Sequence, residues 1–157
     1  MIVVSDTSPL NYLILIKQDE LLHKLFGNVI IPQVVFDELQ GKGAPLPILE
    51  WVQNLPSWIE IQQTHLIAVP MLDILDKGER EAILLAQELS ADLVLLDDRR
   101  ARVIAMDLGI TITGTIGILD KAARMGLIDL SIVFDELQKT NFYIAKDLIE
   151  KLTVNKL

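Results

Sequence analysis

Short apolar runs alternate along the chain with longer segments in which apolar residues recur at helical spacing. Val3–Ser5, Val29–Ile31 and Leu93–Leu96 are apolar runs that predict buried strands. Ile110–Ile112 predicts another short strand, and Trp58–Gln62 alternates apolar and polar residues, as an edge strand with one solvated face does. The pattern therefore predicts five strands, each separated from the next by helical sequence.

Start and stop signals define the helices between these strands. Pro9 favours a helix start with Ser8 as its cap, Pro32 opens a helix after the second strand, and Gly41 and Gly109 mark helix ends. The helical segments are Leu10–Ile16, Glu20–Phe26, 32–39, Ile48–Leu55, Glu79–Leu89, 99–108 and 115–123, with two amphipathic helices between Leu130 and Leu157 that separate near Thr140 and Asn141.

Strands that alternate with helices predict an α/β fold, a three-layer α/β/α arrangement with a central parallel sheet. At 157 residues the chain is expected to form a single domain over 1–157. Residues 65–77 carry no clear pattern. Composition agrees with the fold, because 51% of residues are hydrophobic but only 5% aromatic, as expected where helices cover both faces of a sheet.

Composition also limits the chemistry. The absence of cysteine excludes disulfides, thiolate metal sites and a cysteine nucleophile. No apolar run approaches the ~20 residues that cross a bilayer, and no leader segment is evident, so we expect a cytoplasmic protein with no membrane association. The net charge of −8 argues against nonspecific nucleic-acid binding by bulk attraction, but it suits an enzyme whose converging carboxylates need a divalent cation.

Acidic residues stand at the ends of two predicted strands. Asp6 follows the first strand, and Asp97 and Asp98 follow Leu93–Leu96. Because ligands of parallel α/β sheets gather at the carboxyl ends of strands, these acids are candidates for one shared site. The structural alternative is that each is an ordinary acid at a helix start, where the macrodipole favours negative charge.

Three glutamates share helical stripes with apolar residues. Glu38 continues the stripe of Val34 and Val35, Glu79 aligns with Ala82 and Ile83, and Glu81 with Leu85 and Leu89. The structural alternatives are a carboxylate that reaches solvent at a helix end, for Glu38, and simple helix-start acids for the other two. All the candidate acids nevertheless lie at element ends, which favours a shared oxygen-ligand site for Mg²⁺ and phosphoryl chemistry.

Other chemistries find less support. His23 and His65 are the only histidines, so a serine triad or a histidine-based nuclease lacks an evident base. The glycines match neither a dinucleotide fingerprint nor a P-loop.

The sequence resembles the PIN-domain nucleases. VVSDTSPLNYL resembles the family's first motif, IPQVVFDEL its second, GEREAILLA its third and LVLLDDRRARVIAMDLGI its fourth. The segments GTIGILDKAARMGLI and NFYIAKDLIEKL look like a VapC-related prokaryotic subgroup. The resemblance spans the whole chain with the motifs in order.

The resemblance implies a metal site built from three or four acids that bind Mg²⁺ or Mn²⁺. Asp6 matches the central metal ligand and Glu38 the second acid. The motif favours Glu81 as the third acid, although the apolar stripe also permits Glu79. For the fourth, the acid before arginine is Asp98, whereas strand termination favours Asp97. Ser8 matches a polar position beside the first acid that binds water or phosphate.

The function implied is a divalent-metal-dependent endoribonuclease whose metal-activated water leaves a 5′-phosphate and a 3′-hydroxyl, as the toxin of a toxin–antitoxin pair. Arg99, Arg100, Arg102 and Lys42 would hold the RNA backbone, although the basic cluster is equally compatible with a solvated helix face. The alternative is a PIN fold that binds RNA or protein with weak or no catalysis. The aliphatic helices at Leu10–Phe26 and Leu130–Leu152 further predict a homodimer or a bound small antitoxin protein.

Overall fold

The computed structural model describes residues 1–142, and its centre is a five-stranded sheet in which every neighbouring pair is parallel. The strands are β1 (Val3–Ser5), β2 (Val29–Pro32), β3 (Ile59–Gln62), β4 (Leu93–Leu95) and β5 (Ile112–Thr113), in the order β3-β2-β1-β4-β5. The α/β fold with a central parallel sheet is confirmed, and β3 is an edge strand as its alternating sequence predicts.

Eight α-helices are described. They are α1 (Thr7–Leu15), α2 (Glu20–Phe26), α3 (Gln33–Leu39), α4 (Leu46–Gln53), α5 (Lys77–Leu89), α6 (Arg99–Asp107), α7 (Thr115–Arg124) and α8 (Leu130–Gln138). A short 3₁₀ turn over Pro70–Leu72 occupies part of the segment whose sequence has no clear pattern. The second helix predicted after Thr140 lies outside the described residues. The single domain expected over 1–157 stays a prediction.

The helices pack on both faces of the sheet because alternate strand residues point to opposite sides. Val3 and Leu95 belong to a core cluster with α1, α2, α7 and α8. Val4, Val94 and Leu96 belong to a second cluster with α5 and α6. The sheet is therefore the middle of three layers. None of the helices within residues 1–142 has the length and apolar character needed to cross a bilayer.

The first helix begins earlier than the proline signal predicts. α1 starts at Thr7 with Asp6 as its N-cap residue, whereas the sequence pattern favours Ser8 as the cap. Pro9 is then the third helical residue, which is tolerated because the first backbone N–H groups of a helix have no intrahelical acceptor. Because of this earlier start, Asp6 lies directly between β1 and α1.

Strand order places the candidate site at the centre of the sheet. The chain runs from β1 outwards through β2 to β3 and then returns to β4 on the other side of β1. Ser5 pairs with Leu95, and the backbone N–H of Asp6 donates to the carbonyl of Leu95 at 3.0 Å. The residues that follow β1 and β4 thus emerge side by side at the topological switch point, where open α/β sheets bind ligands.

Candidate metal centre

Asp6 is an almost fully buried carboxylate at the end of β1. It is 4% exposed, and no hydrogen-bond donor in the described structure satisfies its buried Oδ1 atom. Burial raises the pKa of Asp6 to about 8, and the charges of Asp76, Glu79 and Glu38 add to this increase, while the backbone N–H of Thr7 opposes it. A buried polar atom without a partner is unusual in a folded protein. Oδ1 is therefore available to a ligand.

Glu38 reaches the same place from the last turn of α3. The hydroxyl of Thr7, in the first turn of α1, donates a hydrogen bond to Oε2 of Glu38. A Cβ atom built on Gly78 would lie 2.6 and 2.9 Å from the two carboxylate oxygens of Glu38 and 3.0 Å from Oδ1 of Asp6. Oxygens of the two carboxylates therefore approach each other in front of Gly78, where any side chain at position 78 would collide with them.

Glu79 lies next to this pair at the start of α5. It is 8% exposed, and it forms a capping box with Asp76: the Glu79 N–H donates to Asp76 Oδ1 at 2.8 Å, and the Asp76 N–H donates to Glu79 Oε1 at 3.1 Å. The pKa of Glu79 is raised to about 7, chiefly by burial; the charges of Asp76, Asp98 and Glu38 contribute to the increase, and the hydrogen bond from the Asp76 N–H opposes it.

The structure separates the two candidates for the third acid. Glu79 interacts electrostatically with Asp6, Glu38 and Asp98. Glu81 instead lines a different groove of about 370 Å³, together with Asp37 and Lys77. Two residues along a helix correspond to a rotation of about 200°. The geometry thus favours Glu79, whereas the family motif favours Glu81; which of them acts as a ligand stays a prediction.

Asp97 and Asp98 also diverge, although they are adjacent. Asp97 accepts hydrogen bonds from the backbone N–H and the hydroxyl of Thr115, both at 2.7 Å, and so ties the end of β4 to the start of α7. Burial raises the pKa of Asp97, against the effect of these two hydrogen bonds and of the Arg102 charge. Asp98 caps α6 by accepting from the Ala101 N–H at 3.0 Å, and it faces a groove that Glu79 also lines.

The polar and basic candidates differ in position. Ser8 is half-buried in the first turn of α1, two residues from Asp6, and Lys42 is exposed after α3. Arg99 and Arg100 line the groove beside Asp98 and Glu79. Arg102 lies near Asp97 in front of Gly114, and its positive charge opposes the rise in the pKa of Asp97. Arg99 and Arg100 are thus better placed than Arg102 to contact a substrate.

Three residues of this centre escape the sequence analysis. Asp76 adds negative charge beside Asp6 and Glu79, Thr7 holds Glu38, and Gly78 leaves room for the two carboxylates. The Asp76-Lys77-Gly78-Glu79 sequence is a capping-box pattern of the kind that starts helices, so Asp76 and the true start of α5 were detectable. The convergence at Gly78 depends on tertiary packing and left no sequence signal.

The donor set fits a hard divalent cation. Its available atoms are carboxylate oxygens, two carboxylates lie close together in front of Gly78, and one buried oxygen has no partner. Mg²⁺ is typically bound through one or two carboxylates while waters and substrate phosphates complete its shell. Within residues 1–142, no three acidic or histidine side chains are grouped so that they could hold a metal ion by themselves. The residues present therefore suit an open site rather than a structural metal cage.

Comparison with known protein families identifies the family to which the chain belongs. A family model described as DUF3368: PIN domain matches residues 2–155. The chain belongs to this PIN-domain family. Its PIN fold is also similar to a solved structure, a PilT N-terminus domain protein, SSO1118, from the hyperthermophilic archaeon Sulfolobus solfataricus P2. That comparison has a TM-score of 0.56 and 18% sequence identity, and covers 78% of this chain and 93% of the other.

The comparisons confirm the PIN fold and leave the subgroup open. At 18% identity the archaeal structure supports the fold alone. No match was found among curated proteins. The family membership agrees with the motif resemblance. The acids of this PIN domain lie at the topological switch point of the sheet, where the strand order reverses.

Proposed function

We propose that this PIN domain is a divalent-metal-dependent endoribonuclease that hydrolyses RNA phosphodiesters. The observation that carries the proposal is the close approach of the Asp6 and Glu38 carboxylates in front of Gly78, with a buried and unpartnered Oδ1 on Asp6. A structural salt bridge or hydrogen-bond network would supply that oxygen with a donor. A group of acidic side chains gathered at a topological switch point is what a cation site requires.

The residues of the centre have separable roles. Asp6 and Glu38 would hold Mg²⁺ or Mn²⁺, and Thr7 orients Glu38 through its hydroxyl. Glu79 and Asp98 would complete the acidic rim through bound water, and Asp97 positions β4 against α7 rather than acting as a ligand. The bound cation would neutralise charge on the scissile phosphate and lower the pKa of the attacking water.

The chemistry is an in-line hydrolysis. Water attacks the phosphorus, the bond from phosphorus to the 3′-oxygen breaks, and the products carry a 5′-phosphate and a 3′-hydroxyl. Arg99 and Arg100 lie beside Asp98 and are placed to bind the phosphates on either side of the cut. Because the whole chain carries a net charge of −8, this local pair of guanidinium groups has to attract the substrate against the bulk charge.

The test is cleavage of a fluorescent single-stranded oligoribonucleotide with Mg²⁺ or Mn²⁺, against the same reaction in EDTA. We expect metal-dependent cleavage by the wild type and none by Asp6→Asn or Glu38→Gln. Glu50→Gln, at an exposed position of α4, is the matched control, because Glu81 is itself a candidate for the third acid. Cleavage of the RNA by Asp6→Asn at the wild-type rate would refute the proposal. Metal-independent RNA binding without cleavage would instead support the alternative of a binding module.

We further propose that the protein is the toxin of a toxin–antitoxin pair, of the VapC-related type that its motifs resemble, with a small antitoxin protein as partner. Induced expression should arrest growth, and expression of Asp6→Asn should not. Co-expression of a small protein encoded next to the chain should restore growth. Unchanged growth with an active wild-type nuclease would refute the toxin role while leaving the nuclease assignment intact.

The homodimer also remains a proposal. In the described part of the chain, α1 and α2 bury most of their large apolar residues in the core, so these helices supply less free surface than their sequence suggests. Exposed apolar side chains lie elsewhere, at Ile67, Ile74, Val103, Met106 and Ile132. Light scattering at micromolar concentration tests the dimer, and a monodisperse monomer would contradict it.

A further inference from the structure

Asp76 lies at the N-terminus of α5, where the segment that follows β3 reaches the acidic centre. The chain is fixed just before it, because Leu75 is only 6% exposed and belongs to the core cluster under α5. Two residues after it, Gly78 lies against the carboxylates of Glu38 and Asp6. Two residues of chain span at most about 7 Å, so the backbone of Asp76 lies at the edge of the proposed cation site.

The backbone of Asp76 holds the side chain of Glu79. The Asp76 N–H donates to Oε1 of Glu79 at 3.1 Å, and Oδ1 of Asp76 accepts from the Glu79 N–H at 2.8 Å. A free glutamate side chain samples many rotamers, and these reciprocal hydrogen bonds restrict it to one arrangement. Within residues 1–142 no hydrogen bond is made to Oε2 of Glu79, so this oxygen is available to a cation or to a water molecule bound to it.

The carboxylate of Asp76 carries a charge that helix capping does not require. An N-cap residue needs one acceptor oxygen, which serine or asparagine supplies as well as aspartate does. Asp76 is exposed, and within residues 1–142 no basic side chain forms an ion pair with it. Burial is the main reason why the pKa values of Asp6 and Glu79 are raised, and Asp76 contributes most to both increases among the neighbouring charges.

We infer that Asp76 is a positioning residue of the metal centre, whose backbone N–H fixes the Glu79 carboxylate and whose unpaired charge strengthens divalent-cation binding. The inference rests on the proposed function, in which Asp6 and Glu38 hold the cation. A negative charge beside other carboxylates is unfavourable in the metal-free protein and favourable once a doubly charged cation lies among them. Because Asp76 is exposed, salt should screen part of this contribution.

The first test removes the charge and keeps the cap. Asp76→Asn and Asp76→Ser retain both the acceptor oxygen and the backbone N–H. Isothermal titration of the metal-free protein with Mn²⁺ at low ionic strength should give a dissociation constant about threefold to tenfold higher for either variant than for the wild type. In EDTA both variants should melt at or above the wild-type temperature, because a repulsive charge has been removed.

Asp129→Asn is the matched control. Asp129 is also an exposed N-cap aspartate, and its side chain accepts hydrogen bonds from the backbone N–H groups of Ser131 and Ile132 at the start of α8. This variant should bind Mn²⁺ as the wild type does. If Asp76→Asn and Asp76→Ser also bind Mn²⁺ with wild-type affinity, Asp76 only caps α5 and the inference is overturned.

The dependence of RNA cleavage on Mn²⁺ concentration separates positioning from a role in the chemical step. For Asp76→Asn the half-saturating Mn²⁺ concentration should rise by the same factor as the dissociation constant. The maximal rate should stay within about twofold of the wild-type rate, because the backbone still holds Glu79. A large loss of maximal rate with unchanged metal affinity would contradict the inference.

A second comparison tests the backbone N–H. Asp76→Ala and Asp76→Pro both lack the charge and the cap oxygen, but only proline also lacks the N–H that Glu79 accepts. The φ angle of Asp76, −67°, suits proline. Asp76→Pro should therefore bind Mn²⁺ at least about twofold more weakly than Asp76→Ala, and equal affinities would refute the part assigned to the N–H. If the proline variant does not fold, the asparagine and serine variants decide the inference.

The outcomes distinguish this inference from the proposed function. If the wild type cleaves RNA with Mn²⁺ and the Asp76 variants share its metal affinity, the inference alone fails. If the wild type binds Mn²⁺ and the variants bind it more weakly, but no RNA is cleaved, the inference holds and the nuclease proposal fails. A wild type that binds no Mn²⁺ overturns both.

Discussion

Replacing Asp6 with asparagine should make the metal-free protein more stable while removing its activity. Asp6 is 4% exposed, and its pKa is raised from 3.8 to about 8 chiefly by burial. In the unfolded chain the carboxyl is ionised above pH 4, so folding at pH 7 requires either a buried charge or uptake of a proton. Asparagine keeps the shape and carries no charge.

The size of the effect follows from the pKa. At pH 7 the shift of about three units available to this group corresponds to at most about 4 kcal/mol of folding free energy. The new buried amide, if incompletely hydrogen bonded, costs about 1–3 kcal/mol. The net gain of about 1–3 kcal/mol should raise the melting temperature by roughly 3–10 °C in a protein of this size.

The sign of the pH dependence provides a sharper test than the size. Because the folded pKa lies above the unfolded pKa, the folded protein holds more protons between pH 4 and 8, and wild-type stability falls as pH rises through that window. The difference in melting temperature between Asp6→Asn and wild type should therefore be small near pH 4 and largest at pH 8. Asp135→Asn, at an exposed position of α8, should show no such trend.

Differential scanning fluorimetry in EDTA from pH 4 to 8 measures this difference, and the same samples with Mg²⁺ or Mn²⁺ test the ligand role. At 100-fold excess over its dissociation constant, a metal that binds only the folded wild type adds about 2.7 kcal/mol of stability. Asp6→Asn should not respond. A variant less stable than wild type at pH 8 without metal, or a pH-independent difference, would refute the burial argument.

Three further substitutions test individual contacts. Gly78→Ala should lower stability by about 1–3 kcal/mol, because its Cβ would overlap Glu38 and meet the buried carboxylate of Asp6, and it should weaken metal binding in calorimetry at least several-fold; unchanged metal affinity would contradict the close approach of the two carboxylates. Thr115→Val should lower the free energy of unfolding, measured by urea titration, by about 1–3 kcal/mol, because the carboxylate of Asp97 loses a buried hydrogen-bond donor. Thr111→Val, at an exposed position, is the control and should change the free energy of unfolding little. Arg100→Gln should reduce the slope of log K against log salt for RNA binding by about 0.7, with Lys24→Gln on α2 as a control that leaves the slope unchanged.

Much of the fold is readable from the sequence because local signals agree with it. The strands at β1, β2 and β4 are apolar runs that stay buried on both faces, and the alternation in 59–62 predicts an edge strand. The helix at α5 was expected from strong helix formers, although its start at Lys77 was set by the Asp76 capping box. The start of α1 was misplaced because the proline signal at Pro9 is compatible with more than one position in a first turn.

The candidate acids are also readable, but not their partners. Asp6, Glu38 and the pairs at 79/81 and 97/98 stand out because charges at element ends or on apolar stripes need a reason. Sequence spacing cannot choose within either pair, since both members share a stripe or a strand end with apolar residues and only tertiary packing decides which carboxylate turns inward. In the structure Glu79 lies beside Asp6, and Asp97 is occupied by Thr115, a contact between residues 18 positions apart.

The sequence by itself determined the parallel α/β architecture, the elements that carry the acids and the all-oxygen character of the candidate site, because hydrophobic period, capping chemistry and composition are local properties. Only the tertiary structure decided that β1 and β4 are neighbours, that the carboxylates of Asp6 and Glu38 lie close together in front of Gly78, and that an apolar groove runs from there along α6. These features arise from packing between residues distant in the chain, where distances of a few ångströms decide whether carboxylates form one site or several.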